Sequence, residues 1–372
     1  MSLNPGPLTG LARLLAPPLL QGVLKQTPSD FRVDEVLGFE PEGTGSHGLF
    51  LFEKTGMTTG QLVGALSKIT RTSERDIGFC GLKDKHAVTT QWISLPLPPK
   101  HPPHTDPDWF AALPAGVRVV RWAPHRKKIR RGIHQGNRFT LVIHGVTGDD
   151  LLFEQRLAIL NQQGFPNYFA EQRFGHQGGN YDLLHKIGAI PAEQSAAVSR
   201  ADRNWGLSTL RAEIFNQCLS HRLAEESDVQ AKVGDLAQLA GSHSRFLVTS
   251  DELARTQTRL AEGDVALTGP LWGEGASPAG DAVGLSETMM ASQIMAQYGH
   301  KHEPKYWLQH LAAWRVEHDR RLLRASVSDL HMAWHEVAGA RQLELKFTLD
   351  AGAYATALLR ELIDLSPEPY AV

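Results

Sequence analysis

The sequence predicts an α+β fold in which strand-forming segments near both ends of the chain flank a helix-rich middle. Three observations carry that prediction. Apolar residues alternate strictly at Phe139, Leu141 and Ile143 and again at Leu343, Leu345, Phe347 and Leu349, the mark of half-buried strands. Helical spacing instead dominates 208–223, 251–262, 286–298 and 304–316. With 372 residues the chain is long enough for about two domains, which suits one α+β domain made from both termini and interrupted by an insertion.

Taken in order, Ser29 to Val36 and Gly48 to Phe52 read as a hairpin-like pair of short strands across the Gly/Pro-rich loop Gly38 to His47. Thr58 or Thr59 can cap a helix whose apolar face is Leu62, Val63, Leu66 and Ile69. A tight segment, Gly78 to His86, leads to a strand at Gln91 to Leu95, and a Pro-rich loop follows from Pro96 to Pro107. Strands return at Val117 to Trp122 and at Phe139 to His144. A helix carrying Leu152, Leu157 and Leu160 then runs from Asp149 to a cap at Gly164. After the helical middle, alternation resumes at Leu323, Ala325 and Val327 and at Leu330 to Val337, and a last helix covers Ala353 to Ile363.

Composition excludes several classes. Hydrophobic residues make up 42% and charged residues 21%, with 34 Gly, so the chain is globular and not disordered. No stretch approaches the roughly 18 uncharged apolar residues of a membrane span. The Leu-rich start from Leu11 to Leu20 is cut by Pro17 and Pro18, which argues against a signal peptide. Cys80 and Cys218 are too few for a disulfide framework and point to the reducing cytoplasm.

Net charge is −2, so any surface for a polyanion must come from local segregation of charge. Between Trp109 and Gly148 there is no Asp or Glu, and compensating acid sits elsewhere, as in Glu225, Glu226 and Asp228. That stretch holds Arg118, Arg121, Arg138 and the dense run Arg126, Lys127, Lys128, Arg130 and Arg131, flanked by His125 and His134. Such a run suits a phosphate backbone; the plainer reading is a solvated basic loop.

Gly43-Thr44-Gly45-Ser46-His47-Gly48 has the letters of a dinucleotide fingerprint, but it runs into a strand where that motif needs a helix N-terminus. No Walker A sequence and no Gly-x-Ser-x-Gly elbow occurs. His101 with His104, and His300 with His302, lack further ligands at recognised spacing, so no metal is expected. The segment around Asp84 differs in kind. Asp84 lies between Lys83 and Lys85 and near His86, and neighbouring positive charge favours an ionised, nucleophilic carboxylate. Gly81 allows close backbone approach. The residues by themselves leave an exposed charged turn as the alternative.

The string Gly81-Leu82-Lys83-Asp84-Lys85-His86-Ala87-Val88-Thr89-Thr90-Gln91 closely resembles the signature of the TruD family of tRNA pseudouridine synthases. Further matches fall in family order: Lys25 with Pro28 to Val33, Gly136 to Thr140, Pro166 to Gly175, and Phe215-Asn216-Gln217. Gly263-Asp264 with Thr268 to Gly273 comes next, then Ala351 to Thr356 before Arg360-Glu361-Leu362. The resemblance runs from about Gln21 to Asp364.

This resemblance implies a pseudouridine synthase catalytic domain of residues 21–162 and 319–372. A helix-rich α/β insertion, the TRUD domain, would occupy 163–318, and residues 1–20 would form a mobile extension. It implies that uridine is isomerised to pseudouridine at position 13 in the D arm of tRNA, with Asp84 as the catalytic carboxylate and with no cofactor or metal. Lys25, Phe31, Lys83, Asn137, Phe139 and Tyr354 become expected substrate contacts, and Arg126, Lys127, Lys128, Arg130, Arg131 and Arg173 expected RNA contacts. Phe139 also fits the apolar face of its own strand. At Tyr354 the family commonly carries Phe; Tyr keeps the stacking face and adds a hydroxyl. Whether Asp84 attacks C1′ or takes a ribose proton to form a glycal stays open. Two other functions compete. A non-catalytic tRNA-binding or RNA-folding protein of the same fold would not need the intact Lys83-Asp84-Lys85 core. A hydrolase would need a second carboxylate, for which Glu35 is the candidate.

Overall fold

A computed structural model of the protein describes residues 8–97, 109, 111–175, 178–225 and 230–366. The chain forms two compact units: one holds residues 18–163, 326–355 and the chain from Leu362 on, and the other holds 164–325, 356–361 and the chain up to Pro17. The expected acidic residues Glu226 and Asp228, the pair His101 and His104, and most of the Pro96 to Pro107 loop lie outside the described residues.

The first unit opens with β1 (Gln21–Leu24), β2 (Phe31–Val36), β3 (His47–Lys54) and α1 (Thr59–Thr70). It continues through β4 (Gly78–Phe79), β5 (Val88–Pro96), β6 (Val117–His125), β7 (Gly136–Thr147) and α2 (Asp150–Gln163). Thr58 caps α1 by accepting from the Gln61 N–H, and the Gln61 side chain accepts from the Thr58 N–H in return, a capping box. Loss of such a cap costs about 0.5–2 kcal/mol. Leu62, Val63 and Leu66 of α1 pack on Phe50, Phe52, Ile93 and Leu95 of the sheet. Truncating a buried Phe there would cost about 3–5 kcal/mol.

The expected hairpin between β2 and β3 does not form. β5 lies between them, parallel to β2 and antiparallel to β3, so the glycine loop joins strands that are not neighbours. That loop is shaped by close approach: a Cβ on Gly45 (φ +133°) would stand 2.2 Å from the His125 carbonyl oxygen.

The second unit contains β8 (Phe165–Pro166), α3 (Gly179–Gly188), α4 (Arg200–Ala224), β9 (Leu236–Leu239), β10 (Arg245–Leu247) and α5 (Leu253–Ala261). After these come β11 (Val265–Leu271), α6 (Asp281–Tyr298), α7 (Lys305–Ala313), β12 (Asp319–Leu322) and β13 (Arg324–Ala325). Leu184, Ile214, Trp272, Met295 and Trp307 share its core. It is less purely helical than its periodicity suggests, because β10-β9-β11-β12 form a sheet. These strands are short, and Gly269 and Pro270 interrupt the apolar pattern of β11, which hides the sheet from a periodicity reading. β12 pairs with β11, and the compact unit that holds them runs to Ala325. Residues 8–17 pack within the second unit: Leu8 and Leu11 are buried, the Tyr168 hydroxyl donates to the Ala12 carbonyl, and the buried Glu361 carboxylate accepts from the Leu14 and Leu15 N–H groups.

The chain then completes the first unit with β14 (Val327–Val337), β15 (Ala340–Asp350) and, beyond helix α8 (Ala355–Leu362), β16 (Asp364–Ser366). The sheet order is β14-β15-β7-β2-β5-β3-β6, with β1 against β7 and β16, and β4 against β5. Strands from the two chain ends are therefore hydrogen-bonded neighbours at β15 and β7, where the two strictest alternating segments of the sequence meet as Phe347 opposite Phe139.

Candidate active site

β2 turns Phe31, Val33 and Glu35 to the buried side, and β7 sets Leu141, Phe139 and Asn137 directly opposite them. Opposed residues of an antiparallel pair share a face, so Glu35 and Asn137 stand side by side. The Phe139 ring stacks on Phe347 at 5.2 Å and meets Phe31 edge-on at 6.2 Å. These aromatics form one wall of the site.

The turn between β4 and β5 presents two side chains in different directions. Buried Gln91 donates to the Gly81 carbonyl (2.6 Å) and accepts from the Thr59 hydroxyl (2.9 Å), which accepts from the Lys83 N–H (2.9 Å). Lys83 reaches inward, its ammonium 2.7 Å from Glu35 and 2.8 Å from Asn137 Oδ1, while the second Glu35 oxygen accepts from the Trp92 N–H. Because an ammonium only donates, it fixes the Asn137 amide with oxygen toward Lys83 and leaves the NH2 group as a donor aimed elsewhere. Asp84 reaches outward. Its carboxylate meets the Lys25 ammonium at 2.7 Å and accepts from the His86 N–H at 3.0 Å, and 21% of the side chain is exposed. Lys25 adopts φ +67°, a conformation that costs a non-glycine residue about 1–3 kcal/mol, and its ammonium lies 4.2 Å from the Phe31 ring centre.

Burial would raise the Asp84 carboxyl, but the Lys25 charge, the hydrogen bond from Lys25 and the His86 N–H outweigh it and hold the group below the usual carboxylate range. Asp84 is therefore ionised at neutral pH. Burial pushes the Cys80 thiol up to about 12, so the nearby cysteine stays protonated at neutral pH. Among the described residues, no group of three or more His, Cys, Asp or Glu is arranged to hold a metal ion.

The structure thus brings Lys25, Phe31, Lys83, Asp84, Asn137 and Phe139 into one site. Tyr354 is half-buried in the loop after β15, the strand beside β7, where the Ala351 N–H donates to the Gln135 carbonyl. The basic run lies against the segment that enters the Asp84 turn. Lys128 donates to the Arg75 carbonyl, the Arg131 guanidinium covers the Phe79 ring at 5.1 Å, and the Gly132 N–H donates to the Cys80 carbonyl. Arg126, Lys127, Arg130 and Arg131 are exposed, with Arg126 near Glu42 at 3.4 Å. Arg173 belongs to the second unit, where it donates to the Ser208 hydroxyl.

Sequence reasoning missed the roles of Thr59, Gln91 and Lys54. Lys54 had a readable signal, since period two places it on the same face as the buried Phe50 and Phe52.

The family model described as tRNA pseudouridine synthase D (TruD) matches residues 14–197 and 196–362. Among curated proteins, the tRNA pseudouridine synthase D of Pseudomonas syringae pv. syringae (strain B728a) is 38% identical over 347 residues, 93% of this chain and 92% of that protein. That of Pseudomonas putida (strain W619) is 39% identical over 353 residues, 94% and 93% of the two chains. The crystal structure of a candidate TruD protein from Methanosarcina mazei shares the fold, with a TM-score of 0.68 over 94% of this chain and 95% of that one at 22% identity. Matches of this extent, over residues that include the Asp84 turn and the strands around it, establish that the chain belongs to the TruD family of tRNA pseudouridine synthases.

Proposed function

We propose that the protein isomerises uridine to pseudouridine at position 13 in the D arm of tRNA, in the cytoplasm, with Asp84 as the catalytic carboxylate. The observation that carries this reading is the ionised, partly exposed Asp84 held by Lys25 beside an aromatic wall, in a chain of this family. The reaction breaks the C1′–N1 bond, turns the detached uracil within the site, and joins C1′ to C5, with a proton gained at N1 and one lost from C5. It is redox-neutral, so the proposal calls on no cofactor and no metal. A carboxylate suffices either by attack on C1′ or by removing the ribose C2′ proton, and a kinetic isotope effect from deuterium at C2′ separates the two.

The target base must leave its stack, at a cost of a few kcal/mol. Phe31, Phe139 and Tyr354 supply rings, the Asn137 NH2 group supplies a donor for a uracil carbonyl, and Lys83 holds that amide in register. Arg126, Lys127, Lys128, Arg130 and Arg131, with Arg173 on the second unit, are proposed to follow the RNA backbone. The hydrolase alternative loses its second carboxylate, since Glu35 is occupied by Lys83 and the Trp92 N–H and its side chain has no exposed surface.

The test is to map pseudouridine in tRNA from cells with and without the gene, and to repeat the assay with purified protein and Asp84→Asn. Loss of pseudouridine at position 13 alone is the expected result. Persistence of that modification in the deletion, or substantial turnover by the mutant, would overturn the reading.

A further inference from the structure

Lys54, the last residue of β3, is wholly buried although it carries a charge. Its ammonium donates to the Met57 carbonyl at 2.6 Å and to the Asp84 carbonyl at 2.9 Å. One residue on, the Lys85 carbonyl accepts from the Gly56 N–H at 3.1 Å. The turn between β3 and α1 thus grips two consecutive carbonyls of the main chain that bears the Asp84 carboxylate. Lys25, from the β1–β2 loop, holds the carboxylate itself.

Among the described residues no carboxylate comes within ion-pair distance of the Lys54 ammonium. A buried cation without a paired anion is strongly disfavoured, and a neutral donor could hold two carbonyls without that penalty. What the charge adds is a field at Asp84. We propose that Lys54 is a positioning residue of the isomerisation, fixing the Asp84 main chain and supplying a second positive charge to its carboxylate. The proposal rests on Asp84 being the catalytic carboxylate.

Burial pushes the Lys54 ammonium down to about 8; the Asp84 charge opposes this shift, and the Lys83 charge adds to it. Its register partners on the flanking strands, Thr89 and Val117, are uncharged. Raising the pH through about 8 therefore discharges Lys54 while Asp84 stays ionised. A group that acts by its charge then gives kcat a falling basic limb.

The experiment measures kcat, KM and their pH dependence for the full chain on tRNA, in the parent, Lys54→Met and Asp84→Asn. A misplaced reacting group costs on the order of 100-fold, so Lys54→Met should lower kcat by about that factor with KM little changed, and should abolish the basic limb. A folded Lys54→Met enzyme with the parent's kcat, or a basic limb that survives the substitution, would overturn the proposal. If Lys54→Met does not fold, the parent decides: a kcat that is flat from neutrality to well above pH 8 rules the charge out. Asp84→Asn separates the two levels of the argument. If it is active, the assignment of Asp84 fails; if it is dead while Lys54→Met is fully active, only the role of Lys54 fails.

Discussion

Lys25 and Asp84 form an ion pair of 2.7 Å whose two side chains stay 24% and 21% exposed, whereas the neighbouring pair Lys83–Glu35 is closed to solvent at 5% and 0%. The open pair can exchange its partners with a substrate. The closed pair can only hold shape, and the two follow one another on the same turn, at Asp84 and Lys83.

If Asp84 is the catalytic carboxylate, the open pair should set the acid limit of activity. Lys25 holds the Asp84 carboxyl below its ordinary value of about 3.9, so the acid limb of kcat/KM should lie below that pH. Lys25→Met should move the limb upward. The same shift governs stability. The native state binds fewer protons than the unfolded chain between the lowered value and about 3.9, so this contribution is present above that window and lost as pH falls through it. An acid limb at the same pH in Lys25→Met would show that Lys25 does not set the Asp84 ionisation.

The closed pair makes a different prediction. Glu35→Gln keeps the shape and a hydrogen-bonding group but leaves the Lys83 ammonium buried without its carboxylate, a change that costs on the order of 3–5 kcal/mol. The denaturation midpoint of the first unit should fall sharply. An unchanged midpoint would mean that the Lys83 charge is balanced by something other than Glu35.

Much of this site was legible in the chain, and the limits are physical. Asp84 and its basic neighbours are adjacent in sequence, so their electrostatics can be read directly, and alternation at Phe139 and Phe347 predicts the sheet face that they line. Pairing partners are another matter. β5 enters between β2 and β3 from a distant part of the chain, and no local pattern says so. Lys83 to Glu35 and Lys54 to the Asp84 carbonyl are likewise contacts between separate strands and turns, which exist only once strand order and register are set.

The basic run should be felt through salt. Replacing Arg126, Lys127, Lys128, Arg130 and Arg131 together by Ala should weaken tRNA binding, and each lost phosphate contact should reduce the slope of log K against log salt by about 0.7 to 0.9. Lys128 and Arg126 are already engaged, by the Arg75 carbonyl and by Glu42, so restoring either alone should recover less than restoring Lys127 or Arg130. A mutant slope equal to the parent's would make the run a solvated loop.

Tyr354 tests what a flipped base needs. A uracil drawn from its stack loses base contacts, and an aromatic ring replaces part of that loss at about 1 to 3 kcal/mol per base. Tyr354 is half-buried beyond the end of β15, in a loop whose Ala351 N–H donates to the carbonyl of Gln135, the residue two before Asn137. If its ring stacks on the base, Tyr354→Phe should be nearly silent and Tyr354→Ala should lower activity by roughly 5- to 150-fold, from that energy at about 1.4 kcal/mol per decade. If instead Tyr354 only precedes α8, Ala is a better helix former and should be neutral or stabilising. Steady-state kinetics with a melting curve separates these cases. A folded, fully active Tyr354→Ala enzyme removes the stacking role, and a Phe variant as damaged as Ala would make the hydroxyl the working group.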